Sequence, residues 1–348
     1  DKLGDPQPDW VDLDKVAIPQ ADEQQRLLAN LILGMNLDRK PLPRFWYFPR
    51  DEKAVIVMTS DDHANNTSNN SMYDDRLDQM NSFDPPGCSV EDWECVRQSM
   101  YLSPGFTTTS AENAKIQAYV AQGHEFGVHV STECADYTNT ALNTFFTNQV
   151  GWFSSTFPFL PAPVSERTHC VPWSNYASHL DVRRSHGIRL DTNFYYHPPS
   201  WVNDRPGLFT GSGLLMRFAD VDGRVIDVYQ GVTHMTDESG QTFPFTIDTL
   251  LDNALGPNGY YGAFMANMHS DSGAYLPANT AIVQSAQSRG VPIVSAKQML
   301  TWLDGRENSS FDNLNWQDGV LTFTISADSR ARGLRAMQIG RASCRERV

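Results

Sequence analysis

Five stretches of the chain set carboxylates, imidazoles or a guanidinium at or near the end of a run that reads as extended. There they could move protons or hold a cation. The run Ala54-Val55-Ile56-Val57-Met58-Thr59-Ser60 leads straight into Asp61-Asp62-His63. Gly123-His124-Glu125-Phe126-Gly127-Val128-His129 is followed by Glu133, four positions beyond His129. Arg167 and His169 share Glu166-Arg167-Thr168-His169-Cys170, and Asp191 lies in Arg189-Leu190-Asp191-Thr192-Asn193-Phe194-Tyr195-Tyr196. Met265-Ala266-Asn267-Met268 runs into His269-Ser270-Asp271. Carboxylates and imidazoles are the common acids and bases of catalysis near neutral pH, and common ligands of divalent metals.

Spacing narrows what each group can do. Side chains alternate along an extended chain, so Asp61 and Asp62 leave it in different directions. One can bind a metal while the other faces a substrate. An Asp-rich turn capping a helix would use the same residue types. If the chain turns helical after Val130, His129 and Glu133 share a face and can chelate one cation. Arg167 and His169 point the same way on an extended segment. The Arg can hold a nearby Asp ionised, and His169 can complete a metal site or hydrogen-bond a substrate. The aromatic side chains near Asp191 can stack on sugar rings or fill a core.

These groups need strands to carry them. Ala54–Met58 has no charge and reads as a strand buried on both faces, as in parallel sheets. Further strands are predicted at Arg97–Leu102, His124–Val130, Arg167–Cys170, Ile188–Phe194, Val225–Val232, Tyr260–His269 and Val291–Ser295. Helices are predicted between them at Ser110–Gln122, Asn139–Ser154, Trp173–Ser185, Ile247–Leu255, Asn279–Ser288 and Ala296–Leu303. Alternation of this kind predicts an α/β fold. Seven or eight strands over roughly 250 residues suit a distorted (β/α) barrel better than an open sheet. Reactive groups then belong at the carboxyl ends of the strands. The polar stretch Ala64–Asp92 shows no clear period and reads as a long functional loop or insertion.

The flanks read differently. Residues 1–43 hold an amphipathic helix over Ala21–Gly34, closed by glycine, and look like the end of an upstream domain or a linker. The barrel is expected over 44–305. Residues 306–338, with period-two alternation in Val320–Ser326, read as the start of an incomplete β-domain. The last ten residues, 339–348, fit neither pattern and read as a non-native tail.

Among 348 residues, 40% are hydrophobic and the net charge is −14. The charge argues against nucleic acid as a partner, since phosphate binding needs clustered Lys and Arg. No apolar run approaches the ~20 residues of a membrane span. Cys88 and Cys95 sit in a polar Pro/Gly-containing stretch that suits a short disulfide loop, and Cys134 and Cys170 are expected to form a second bridge. Paired cysteines point to an oxidising compartment, hence a secreted or cell-envelope location.

The order of the motifs resembles the polysaccharide deacetylase family, the NodB-homology group of carbohydrate esterase family 4. Thr59-Ser60-Asp61-Asp62 is similar to that family's Thr-Phe-Asp-Asp, and Gly123-His124-Glu125-Phe126-Gly127-Val128-His129 to its second motif. Arg167, Asp191 and His269 are similar to the Arg, Asp and His of the later motifs. The resemblance spans about residues 50–303. It implies a divalent metal, with zinc first, held by Asp62 and His129. It implies Asp61 as general base, oriented by Arg167 with Asp191 behind it, and His269 as general acid. The family's second metal-binding His falls here at Glu133, and its Arg-Pro motif reads Arg167-Thr168-His169, so Glu133 or His169 is the candidate third ligand. His63, Trp173, Tyr195, Tyr196 and Trp201 are the candidate substrate-binding side chains. The activity implied is removal of N- or O-linked acetyl groups from a carbohydrate. A non-catalytic carbohydrate-binding barrel is the alternative, and a glycoside hydrolase a more distant one.

Overall fold

The computed structural model describes residues 18–35, 43–63, 72–194, 206, 213–271 and 276–338. Seven strands close into a parallel ring. They are β2 (Ala54–Asp62), β3 (Ser99–Leu102), β4 (Glu125–Val130), β5 (Ser165–Thr168), β6 (Leu190–Phe194), β8 (Val225–Thr236) and β9 (Gly262–Asn267). Each pairs in parallel with the next, and β9 returns to β2. β7 (Met216–Ala219) runs antiparallel along β8. The two-residue β10 (Ile293–Val294) pairs with β2 at Ile56 and Val57, short of the rungs from Thr59 to Asp62 that β3 takes. The fold is thus a distorted (β/α) barrel of seven closing strands with an eighth parallel strand at its base.

Helices cover the outside. Those used below are α2 (Tyr73–Ser82), α5 (Ser178–Ser185), α6 (Phe245–Leu255) and α7 (Leu276–Ser288); α1 (Gln20–Gly34), α3 (Ser110–Ala121), α4 (Asn139–Thr156) and α8 (Ala296–Glu307) complete the set. β2 shows how the sequence builds both layers. Ala54, Ile56 and Met58 pack outward against Ile247 and Leu251 of α6 and Ile282 and Val283 of α7. Val55 and Val57 pack inward with Leu190, Tyr229, Ala263 and Met265 from three other strands. The inner row continues as Thr59, Asp61 and His63, so one side of one strand rises from an apolar floor to reactive groups.

Several boundaries move. The stretch expected to be a featureless loop contains α2, whose buried Tyr73, Leu77 and Met80 recur at i, i+4 and i+7 between polar residues. β5 is Ser165–Thr168 rather than Arg167–Cys170, a strand of polar residues that only its pairing partners identify. α5 begins at Ser178, five residues later than expected from Trp173. β11 (Ser310–Gln317) and β12 (Val320–Ser326) form a two-stranded hairpin, and β13 (Ala336–Gln338) pairs with β1 (Pro43–Phe45). α1 exposes Leu27, Leu28, Leu31 and Ile32. Both expected disulfides form, Cys88–Cys95 and Cys134–Cys170. Among the described residues, no helix is long and apolar enough to cross a membrane.

Candidate active site

The mouth of the barrel gathers Asp61 and His63 from the end of β2, His129 from β4, Arg167 from β5, His169 just beyond it, and His269 just beyond β9. Asp61 is buried. Its Oδ2 accepts a hydrogen bond from Asn267 Nδ2 at 2.7 Å. Its Oδ1 has no hydrogen-bond partner and lies 3.5 Å from Arg167 Nε, which is also unpartnered. Two further donors pin the guanidinium across the barrel, Nη1 to Thr233 Oγ1 at 2.8 Å and Nη2 to Thr59 Oγ1 at 2.9 Å. Burial by itself raises the Asp61 pKa, but neighbouring cations, Arg167 and the His269 imidazolium among them, outweigh it and hold the carboxyl below its usual range. Asp61 is therefore an ionised base with one oxygen unclaimed by a hydrogen bond.

Three imidazole nitrogens converge beside it. His129 Nε2 lies 3.1 Å from His63 Nε2 and 3.2 Å from His169 Nδ1. The outer nitrogens fix two of the tautomers. His129 Nδ1 donates to the Arg167 carbonyl at 2.8 Å, and His63 Nδ1 donates to Asp271 Oδ2 at 2.9 Å. With both Nδ1 atoms donating outward, the Nε2 atoms of the two rings face each other and are left to serve as ligands. Burial drops the His129 pKa to about 3, which keeps that ring neutral. A tetrahedral cation with bonds of ~2.0–2.1 Å would want its nitrogen ligands about 3.3 Å apart, close to the observed spacing. Outer hydrogen bonds of this kind are what orient metal-binding histidines. The donor set therefore fits a divalent metal, with His63, His129 and His169 as its ligands.

That set differs from the expected one. Asp62 does not reach it: alternation turns its carboxylate out of the barrel, where it accepts from Ser270 Oγ at 2.9 Å. His63, expected to meet substrate, stands on the inner side instead. Glu133 is exposed, because the chain does not become helical after Val130; Glu133 and Cys134 take left-handed backbone angles, so the i, i+4 relation to His129 never forms. Of the two candidate third ligands, the structure brings in His169.

His269 flanks the cluster, its ring stacked 5.0 Å from that of His63. Asp237 holds it twice, accepting from Nδ1 at 2.8 Å and from the main-chain N–H at 2.9 Å. Arg76 of α2 donates to the His269 carbonyl at 2.7 Å. Burial lowers the His269 pKa, but the bond to Asp237 and the charges of Asp61 and Asp237 push it up to about 9. It is therefore an imidazolium at neutral pH. Asp237 had no place among the expected residues, because the strand was ended at Val232. The clue lies in Val232-Thr233-His234-Met235-Thr236-Asp237, where an extended run again ends in Asp.

Asp191 is not behind Arg167. It faces outward beneath α5, its Oδ2 3.3 Å from Arg183 Nε, in a buried network with Glu166 and Asn193. Trp173 packs its ring 4.3 Å from His179 and 5.4 Å from Phe194. Tyr195, Tyr196 and Trp201 lie outside the described residues.

A closed parallel barrel carries at its carboxyl mouth an ionised carboxylate, an imidazolium and three converging imidazoles. No family model matches the chain, and no curated protein matches it. Solved structures do. A protein described as a polysaccharide deacetylase from Mycobacterium smegmatis is similar at 11% identity, over 77% of this chain and 94% of its own, with a TM-score of 0.49. The chitin deacetylase of the fungus Colletotrichum lindemuthianum is similar at 12% identity, over 73% and 89%, with a TM-score of 0.41. A family 4 carbohydrate esterase pseudoenzyme from Bacillus anthracis is similar at 8% identity, over 72% and 66%, with a TM-score of 0.40.

Proposed function

We propose that the chain is a metal-dependent hydrolase that removes acetyl groups, N- or O-linked, from a carbohydrate. The observation that carries this reading is the pairing of an ionised Asp61 with a protonated His269 beside one cluster of three imidazoles. Such a site has a base and an acid poised at the same pH, as hydrolysis of an acyl group requires. Zinc is the first candidate, since three histidines with an open fourth position are a ligand set of catalytic zinc. When bound, the metal would act as a Lewis acid on the acetyl carbonyl and lower the pKa of water.

The chain's own residues do the proton work. Asp61 Oδ1, free of hydrogen bonds, accepts the proton of the attacking water. Arg167 and Asn267 keep that carboxylate oriented, and the guanidinium keeps it ionised. His269 Nε2 carries the proton that the leaving amine or hydroxyl needs, while Asp237 holds its Nδ1 and so aims it. Adjacent Asp61 and Asp62 face opposite sides of the barrel wall, which disfavours the paired carboxylates of a glycoside hydrolase. We assign the activity to residues 44–305. Two disulfides support a secreted or cell-envelope location.

Acetate release from chitin oligomers, peptidoglycan and acetylated xylan, with and without added zinc, cobalt or manganese, tests the reading. Metal-stimulated acetate without new reducing ends is expected. Reducing ends without acetate would overturn it.

A further inference from the structure

Two of the three clustered histidines are oriented through their second ring nitrogen, His63 by the Asp271 carboxylate and His129 by the Arg167 carbonyl. His169 is not. Among the described residues its only polar side-chain contact is the 3.2 Å approach of Nδ1 to His129 Nε2. Its backbone N–H bonds to the Val130 carbonyl at 2.8 Å, which fixes the strand but not the ring. The next residue is Cys170, bonded to Cys134 with the Cα atoms 5.3 Å apart. At both ends of the bridge the chain leaves its strand through left-handed backbone: Glu133 and Cys134 on one side, Cys170 and Val171 on the other, with φ of 59°, 58°, 63° and 43°. Residues with side chains adopt such angles only where the surroundings impose them, at a cost of about 1–3 kcal/mol each.

We infer that the Cys134–Cys170 disulfide makes His169 a metal ligand, taking the place of the outer hydrogen bond that the other two histidines have. This rests on the metal reading of the site. The bridge joins the loop after β4 to the loop after β5, so it fixes the distance between the segments that carry His129 and His169. Without it, the four left-handed residues relax and, among the described residues, no second hydrogen bond to the ring holds Nδ1 toward His129. Both cysteines are exposed, so a thiol or phosphine reductant can reach the bond. Reduction by a phosphine takes up one water and yields the phosphine oxide and two thiols.

Zinc affinity tests the inference, read by competition with a chromophoric chelator and independent of activity. Cys134→Ala/Cys170→Ala is expected to lose about ten- to a hundredfold in affinity, the usual effect of removing an orienting partner. Cys88→Ala/Cys95→Ala, at the amino-terminal end of β3, keeps the wild-type value. The decisive arm is a cycle with His169→Ala, which should cost affinity in the bridged chain and little in the chain without the bridge. Circular dichroism checks that each variant folds. If the double variant does not, phosphine reduction and thiol alkylation of folded Cys88→Ala/Cys95→Ala supplies the unbridged form. Equal affinity with and without the bridge, or an equal cost of His169→Ala in both, overturns the inference alone. A bridged wild-type chain that binds no zinc overturns the metal reading along with it.

Discussion

Asp61 and His63 stand two residues apart on one extended segment and face the same barrel interior, while Asp62 between them turns outward to the Ser270 hydroxyl. The base and the cation ligand that we propose therefore come from the same side of one strand, and the second carboxylate belongs to the wall.

Substitutions along this strand should separate by parity. His63→Ala is expected to lose bound metal, and Asp62→Ala to keep it. Asp61→Asn keeps its shape but cannot take a proton, so it should retain metal and lose ~10²–10⁴ in rate. Metal content by elemental analysis beside acetate release decides each case. Loss of metal in Asp62→Ala with retention in His63→Ala would reverse the assignment.

Asp237→Asn should move the basic limb of the pH–rate profile. His269 acts as an acid only while protonated, and activity should fall as pH rises through a value near 9. The Asp237 carboxylate stabilises the imidazolium, so its neutral replacement lowers the His269 pKa. The limb should therefore shift to lower pH, while activity well below it is reduced less. A limb unmoved in Asp237→Asn would show that His269 does not titrate there.

Asp191→Asn should act on stability rather than on rate. Arg183, Glu166 and Asp191 are all fully buried in one network beneath α5. Removing the shared cation in Arg183→Met leaves two carboxylates without it and should cost about 3–5 kcal/mol. Asp191→Asn should lower the urea midpoint yet leave kcat within a few-fold of wild type. A loss of kcat with unchanged stability would return Asp191 to the active site.

His124 should make the fold acid-sensitive. Burial and then the neighbouring Arg97 drop its pKa to about 3. An unfolded histidine titrates near ~6.5. Between those values the unfolded chain binds a proton that the folded chain excludes, so stability rises with pH across the window and is full above it. Urea unfolding at pH 4, 5 and 7 should show this slope. His124→Gln keeps a donor toward Asn81 Oδ1, which His124 Nε2 now reaches at 3.0 Å, and should flatten it by one proton. An unchanged slope would assign the acid sensitivity to other groups.

Much of the site was legible along the chain because strand alternation is a local rule. An uncharged run ending in Asp61-Asp62-His63 already placed reactive groups at a strand end, and the recurrence of that pattern at His129 and His269 announced a barrel mouth. The same rule put Asp61 and Asp62 on opposite sides. Which side was inside could not be known from β2 alone, since a strand buried on both faces is apolar on both. Only the packing of Val55 and Val57 with Leu190 and Met265 oriented the row, and with it His63. Glu133 was misplaced because the chain after Val130 takes a left-handed turn into Cys134, whose covalent partner Cys170 lies 36 residues further on. Asp237 was missed and Asp191 misassigned for a similar reason. One carboxylate met His269 and the other met Arg183, and those meetings join segments 32 and 8 residues apart that only the closing of the ring and the docking of α5 bring together.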